Sequence, residues 1–237
     1  MYAFDVKRVI DYFRLDGSGL NLMGHSLGGA ISIIIAGTFP EIIRKCLTFD
    51  SLSLTMRKAF EAPKYLAAGI KKVIEFEESE KPVPMYSHKE SVQRFLKGRN
   101  YQMTQNSAQV LLKRGLKIVD QSDDGELLYQ FSRDFKVTLP QMMTLGPEQF
   151  MAFFQNVSCH HRIFTFKDSE WLALEAEDKE WQQKMMEIRK KISEVNQKNC
   201  QSFKWIEKNG MHHAHLDNPE KIAAEVNTFL MVGDSKS

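Results

Sequence analysis

The sequence has few cysteines and no long apolar run. Only three cysteines occur in 237 residues, Cys46, Cys159 and Cys200, and no two of them form a C-x-x-C pair. An odd number of widely spaced cysteines argues against a disulfide framework and against a structural zinc site, so we expect a reducing compartment. No segment reaches the roughly 18 consecutive apolar residues of a membrane helix, and we therefore expect no membrane span.

An excess of one charge sign is also missing. Lysine and arginine number 32, aspartate and glutamate number 30, and the formal net charge is +2. The two signs are interspersed along the chain, whereas nucleic-acid-binding domains usually carry a clustered basic face. The sequence therefore predicts no nucleic-acid partner, and its charge pattern identifies no other partner.

What the chain does contain is a Gly-x-Ser-x-Gly motif at residues 24–28. The motif stands between a short apolar run at residues 20–23, typical of a buried strand, and a dense apolar segment at residues 30–35, typical of a buried helix. A serine nucleophile occupies this setting in a strand-turn-helix elbow. There the strained turn lifts the hydroxyl out of the sheet, and the glycines let strand and helix approach closely. We therefore predict that Ser26 is a nucleophile.

A serine hydroxyl is a poor nucleophile near neutral pH, so it needs a histidine base and a carboxylate that fixes the imidazole tautomer. For elbow serines the histidine follows the last strand. His212, His213 and His215 stand there, and we expect His212, nearest the strand end, to be the base and the other two to be loop or packing residues. A metal site is disfavoured, because no acidic or cysteine ligand lies at a recognisable spacing. We expect no cofactor.

The acid stays open among three carboxylates. Asp168 lies two positions past a strand-like run at residues 162–166 and ranks first. Glu170 takes the role if that strand is displaced by a residue or two. Asp50, at the end of the strand after the elbow, is the third possibility. Each of the three could instead be a solvated carboxylate at a strand end with no role in catalysis. We expect His160 and His161, which precede the strand, to be ordinary surface residues.

Strand-like and helix-like segments alternate at both ends of the chain, which predicts an α/β fold with parallel crossovers. The remaining predicted strands are residues 46–49 and 202–206. The predicted helices are residues 1–15, residues 171–196, and a final helix capped by Asn218. In the first of these helices, one apolar stripe contains Tyr2, Val6, Val9 and Phe13. Residues 55–155 instead have the pattern of short helical pieces broken by proline and glycine, with one strand-like run at 127–131. We interpret the chain as a core at 1–54 and 156–237, with a helical lid inserted at 55–155.

Several segments together resemble α/β-hydrolases: residues 24–29, 39–41, 47–51 and 212–220. Residues 107–116 and 131–134 narrow the resemblance to the serine hydrolase-like (kraken-type) family. The resemblance implies a nucleophile at Ser26, a base at His212, and a cytoplasmic or peroxisomal location. It leaves the acid unsettled, because residues 168–170 do not reproduce the usual Gly-x-x-Asp pattern.

Family members carry about half of their sheet strands before the nucleophile strand, whereas this chain begins one helix before it. The resemblance thus implies an N-terminally truncated α/β-hydrolase fold, with the strand at residues 20–23 as an exposed apolar edge and with poor stability and weak activity. The backbone N–H of Leu27 would supply one oxyanion donor; residues 1–25 contain no loop of the usual type for the second.

The leading functional hypothesis is a serine hydrolase. It would cleave an ester, thioester or amide of a small apolar substrate held under the lid, through an acyl-enzyme on Ser26. The alternative is a catalytically impaired isoform or pseudo-hydrolase that acts as a binding or interaction protein. The sequence leaves the substrate's identity and the oligomeric state open.

Overall fold

The computed structural model describes residues 2–17, 19–51, 59–79, 82–98, 103–134, 137, 145–169 and 179–231. The chain divides into two compact units, one formed by Met1–Met56 with Leu145–Ser237 and the other by Arg57–Thr144. No helix within the described ranges has both the length and the apolar composition that a bilayer span requires.

In chain order the elements are α1 (Tyr2–Tyr12), β1 (Leu20–His25), α2 (Leu27–Thr38), β2 (Ile43–Phe49), α3 (Ala62–Glu77), α4 (His88–Lys97), α5 (Gln105–Gly115), β3 (Leu116–Gln121), β4 (Leu127–Phe131), α6 (Pro147–Asn156), β5 (His160–Phe166), α7 (Lys179–Asn199), β6 (Ser202–Lys208), α8 (Ala214–Asp217) and α9 (Glu220–Met231). Short 3₁₀ turns occur at Pro40–Ile42 and Ala59–Glu61. The strands predicted in the core lie inside β1, β2, β5 and β6. The first part of the predicted helix at 171–196 lies outside the described residues, and α7 contains the rest.

The first unit is built on a parallel sheet with strand order β1-β2-β5-β6. Side chains alternate between the two faces of each strand. Thus Cys46 and Ile163 join the cluster packed against one set of helices, and the next residues, Leu47 and Phe164, join the cluster on the opposite face. Because helices cover both faces, successive residues in the second half of β2 and of β5 are buried, with no alternation between buried and exposed positions.

Three helices pack on one face of this sheet. Their buried apolar side chains are Ile33 and Ile35 of α2, Phe150 and Phe154 of α6, and Ile188 and Ile192 of α7. On the opposite face, α9 contributes Ile222 and Phe229. Each such side chain contributes about 1.5–3 kcal/mol by burial, so the helices and the sheet stabilise one another.

Helix α6 belongs with the first unit, although the sequence assigned residues 145–155 to the insertion. Gly37 of α2 lets it approach, because a Cβ at that position would lie 2.4 Å from the carbonyl oxygen of Phe153. The aromatic side chains of α6 then enter the sheet's apolar cluster. A sequence pattern of helix and proline does not reveal which neighbouring surface a helix packs against.

One prediction about burial is wrong, and the stripe on α1 is mostly exposed. On α1, Tyr2, Val9 and Phe13 are 44%, 52% and 63% exposed, while Ile10 beside the stripe is 3% exposed. His161, expected at the surface, is fully buried in β5, where Asn196 Oδ1 lies 2.8 Å from its Nδ1. A polar partner on α7 makes this burial tolerable.

The second unit consists of helices α3, α4 and α5 with an antiparallel hairpin of β3 and β4. Its small core contains Val92, Phe95, Ala108 and Leu112. The predicted strand-like run at residues 127–131 is β4. Its partner β3 was missed, because all but its first residue are exposed and the strand shows no buried alternation.

Candidate active site

Ser26 lies in a sharp turn between β1 and α2. Its backbone has φ 53° and ψ −123°, a conformation that costs a non-glycine residue about 1–3 kcal/mol. The Ser26 N–H donates to the Phe49 carbonyl at 3.0 Å, and the Ser26 carbonyl accepts from the N–H of Ala30 at 3.1 Å. The geometry is that of the predicted elbow.

Glycines next to Ser26 make this turn possible. A Cβ on Gly24 would lie 2.3 Å from the carbonyl oxygen of Gly28, and one on Gly29 would lie 2.6 Å from the Cβ of Ser51. A Cβ on Gly28, by contrast, would meet nothing within 4 Å. The steric requirement therefore falls on Gly24 and Gly29 rather than on the second glycine of the motif.

Helix α2 starts at Leu27, directly after Ser26. The first N–H groups of a helix have no acceptor within the helix and form a site that favours negative charge. The N–H of Leu27, for which the sequence predicts an oxyanion role, is the first of this helix.

His212 is paired with a carboxylate from a distant strand end. Its Nδ1 lies 2.6 Å from Oδ2 of Asp50, and the two residues are 1% and 8% exposed. Asp50 Oδ1 accepts the N–H of Phe166 at 3.1 Å, and Oδ2 also accepts the hydroxyl of Ser169. These donors satisfy a buried carboxylate and orient it toward the imidazole.

Asp168, ranked first as the acid, is bonded to the loop that leads to the histidines. Its Oδ2 accepts the backbone N–H of Gly210 at 3.0 Å, and its own N–H donates to the Gly210 carbonyl at 3.1 Å. Asp168 thus holds this loop in place. Glu170 lies outside the described residues, and Asp50, ranked third, stands against the imidazole.

The order of strands in the sheet explains why Asp50 lies close to His212. β2 and β5 are neighbouring parallel strands, so Asp50 and Asp168 follow strands whose carboxyl ends meet at one edge of the sheet. Asp50 directly follows β2, has φ 46° and donates its N–H to the Phe164 carbonyl at 2.7 Å. A sequence signal existed, since Asp50 directly ends the apolar run 46–49 and lies within a segment that carries the family resemblance.

His25, the residue before Ser26, contacts the histidine loop. Its Nε2–H donates to the His212 carbonyl at 2.8 Å, and its ring centroid lies 4.4, 4.6 and 4.2 Å from those of His212, His213 and His215. The sequence predicted no role for His25. Its ring now links the nucleophile turn to the loop after β6.

Burial keeps two of these histidines neutral. Desolvation, followed by the neighbouring histidines, lowers the pKa of His25 to about 2. Burial, followed by repulsion from His212, lowers the pKa of His215 to about 4. Near neutral pH both rings are uncharged imidazoles, so they can pack closely around the loop without mutual repulsion.

These features define the fold. A parallel sheet with helices on both faces, an elbow serine after β1 and a histidine loop after β6 are features of an α/β-hydrolase fold, and solved structures agree. A hypothetical protein of Pseudomonas aeruginosa PAO1 superposes with TM-score 0.72 at 25% identity, over 96% of this chain and 71% of that one. The thioesterase domain from the curacin biosynthetic pathway superposes with TM-score 0.63 at 15% identity, over 96% and 72%.

Among curated proteins, the chain is similar to serine hydrolase-like proteins. The chain is 23% identical to a "Probable serine hydrolase" of Drosophila melanogaster over 95% of this chain and 63% of the relative. It is also 23% identical to a "Serine hydrolase-like protein" of Danio rerio over 97% and 65%. The chain thus spans slightly less than two thirds of each relative's length. No protein-family model matches the chain. The predicted resemblance to serine hydrolase-like proteins is confirmed.

Proposed function

We propose that this protein is a serine hydrolase that cleaves an ester, thioester or amide of a small apolar substrate through an acyl-enzyme on Ser26. The observation that carries the proposal is the buried bond between His212 and Asp50 beside a serine elbow. The names of the relatives and of the thioesterase neighbour support the same class of reaction. The cytoplasmic or peroxisomal location implied by the resemblance stays a prediction.

Each residue has a role in this mechanism. Asp50 accepts the Nδ1–H of His212, which makes Nε2 the basic nitrogen. Ser26 Oγ attacks the carbonyl carbon, its proton passes to Nε2, and the Leu27 N–H stabilises the oxyanion. The proton then moves to the leaving group as the acyl bond breaks. Water repeats the sequence, releasing the acid and regenerating the serine.

In this proposal Asp50 replaces Asp168 as the acid. A carboxylate that orients the base must contact the imidazole nitrogen opposite the one that takes the proton. Asp50 makes that contact, whereas the Asp168 carboxylate accepts from the backbone of Gly210. The role of Asp168 is then to position the histidine loop.

We assign the lid role to the second unit, Arg57–Thr144. It is inserted in the chain shortly after Asp50, and its helix α3 carries exposed apolar side chains at Leu66, Ile70 and Ile74. Their spacing of four residues places them on one helix face. An apolar face of this kind suits a substrate with an apolar acyl group.

A non-catalytic interaction protein is the second candidate function. Within the described sheet β1 pairs only with β2, which leaves it at the edge. Met23 of β1 is 59% exposed, and Tyr12 and Phe13 near the end of α1 are 80% and 63% exposed. An edge strand with exposed apolar neighbours is a surface on which another strand can pair.

A fluorophosphonate probe separates the two functions. It phosphonylates an activated serine, so we expect labelling of the wild-type chain and none of Ser26→Ala. Ser32→Ala is the matched control, because Ser32 lies on the same helix and its hydroxyl donates to the Gly28 carbonyl. Equal labelling of wild type and Ser26→Ala, or no labelling of either, would reject the hydrolase proposal. A biological effect that survives Ser26→Ala would then favour the interaction protein.

A further inference from the structure

Three histidines from two separate parts of the chain converge beside the elbow. His25 ends β1, while His213 and His215 lie on the loop and the one-turn helix α8 after β6. One ring nitrogen from each residue lies within 4.8 Å of the other two. None of the three forms the acid–base pair, because the carboxylate of Asp50 bonds to His212.

The three imidazole rings of this cluster can act as nitrogen ligands for a metal ion. A neutral imidazole offers one nitrogen lone pair, and that lone pair is what binds a metal ion. Because the Nε2–H of His25 donates to the His212 carbonyl, its Nδ1 carries the lone pair. The hydrogen bond to the His212 carbonyl thus fixes the tautomer of His25. In known metal sites, the ligating histidines commonly donate their other ring N–H to a carbonyl or carboxylate in the same way.

A buried polar atom points to the same conclusion. Nδ1 of His215 has no exposed surface and no hydrogen-bond partner among the described residues. An unsatisfied buried polar atom costs about 1–3 kcal/mol. A bond to a metal ion would remove that cost for His215.

We propose that His25, His213 and His215 form a site for one divalent transition-metal ion of the zinc type. Three imidazoles leave a fourth position open, and nitrogen ligands favour zinc, cobalt or copper over magnesium and calcium. The site joins the loop that carries His212 to the residue before Ser26. This inference concerns binding alone and does not depend on the hydrolase proposal.

The site has to contract to bind such an ion. Zinc–nitrogen bonds of about 2.0–2.1 Å in tetrahedral geometry place ligand nitrogens about 3.4 Å apart, which is less than the 4.8 Å span of the cluster. His213 and His215 lie on a loop and a single helical turn, where rotation of two rings supplies the shift. His25 is fixed on the rigid end of β1.

Metal titration of tag-free, chelator-treated full-length protein tests the proposal. Competition with a chromophoric chelator should report one equivalent of bound Zn²⁺, and Co²⁺ should give the intense visible bands of a tetrahedral site. Loss of an outer-shell partner alone typically weakens metal binding about 10–100-fold, so His215→Gln should weaken Zn²⁺ binding at least about tenfold. The control His160→Gln, whose ring contacts Ser202 at 2.9 Å on the opposite end of the sheet, should bind as wild type does.

Thermal unfolding gives a second measurement. Binding to the folded state raises the melting temperature by mass action, so Zn²⁺ should raise it for wild type and His160→Gln but not for His215→Gln. Should His215→Gln fail to fold, His213→Gln and the Co²⁺ spectrum of the wild type decide. Zn²⁺ affinity equal in wild type and trio variants, or only the weak spectrum of six-coordinate Co²⁺, would overturn the proposal.

Discussion

Oδ2 of Asp50 lies 2.6 Å from Nδ1 of His212, although the two residues are 162 positions apart. Their strand ends meet because β2 lies next to β5 and β5 next to β6 in one parallel sheet. Both side chains are buried, so the bond forms away from competing water. The carboxylate fixes one tautomer of the imidazole. The pair lies at the carboxyl-end edge of the sheet, where Ser26 also lies.

We expect Asp50→Asn to lower ester turnover by a factor on the order of 10³–10⁴, because the amide no longer fixes the reactive tautomer. Asp168→Asn is the matched control, since it changes the other strand-end carboxylate, and it should lower turnover far less. Hydrolysis of p-nitrophenyl esters by the folded variants measures both. A larger loss in Asp168→Asn than in Asp50→Asn would return the acid role to Asp168.

The elbow could be predicted from the sequence, because all of its determinants are contiguous. Gly24, Ser26 and Gly29 lie within six residues, and the apolar runs on each side identify the strand and the helix. The acid could not be chosen in the same way. Asp50 and Asp168 follow equally strand-like runs, and only the order of strands in the sheet decides which of them faces His212.

Burial could not be predicted for the same physical reason. Helical periodicity gives a stripe on α1 but not the side that packs, and Ile10 is buried where Val9 is exposed. A histidine at a strand start is usually exposed, yet His161 finds a hydrogen-bonding partner in Asn196 and is buried. The contact between His25 and His213 could not be predicted, because no local sequence pattern shows that the end of β1 and the loop after β6 meet at one edge of the sheet.

We expect Gly24→Ala and Gly29→Ala to destabilise the fold by about 1–3 kcal/mol each, the usual cost of forcing atoms into a packed site. In each variant the new methyl group would overlap the atoms that now contact the glycine. Gly28→Ala is the control, because it meets nothing and replaces glycine inside a helix, which favours alanine by up to about 1 kcal/mol. Urea unfolding of the three variants measures the difference, and a Gly24→Ala protein as stable as Gly28→Ala would contradict the steric account.

The pH dependence of stability should carry a contribution from His161. Burial lowers its folded pKa from 6.5 to about 4, so the unfolded chain binds a proton that the folded chain does not. Stability therefore falls as the pH drops from about 6.5 to 4, by on the order of 3 kcal/mol for this residue. His161→Gln keeps a donor for Asn196 and does not titrate, so its unfolding free energy should fall less between pH 7 and pH 5. Parallel pH curves for the two proteins would show that His161 is not the source.

The apolar face of α3 should affect substrates in proportion to their acyl length. The triple variant Leu66→Ser, Ile70→Ser, Ile74→Ser removes side chains that are 38%, 46% and 46% exposed, and its melting temperature is measured to separate lost stability from a change in KM. If the second unit acts as a lid, KM for a long-chain p-nitrophenyl ester rises while KM for the acetyl ester does not. Ile118→Ser on β3, which is 60% exposed, controls for the loss of surface apolarity in the same unit. An equal change in KM for both esters, or the same change in Ile118→Ser, would remove the argument for a lid, because neither result depends on a specific contact between α3 and the acyl chain.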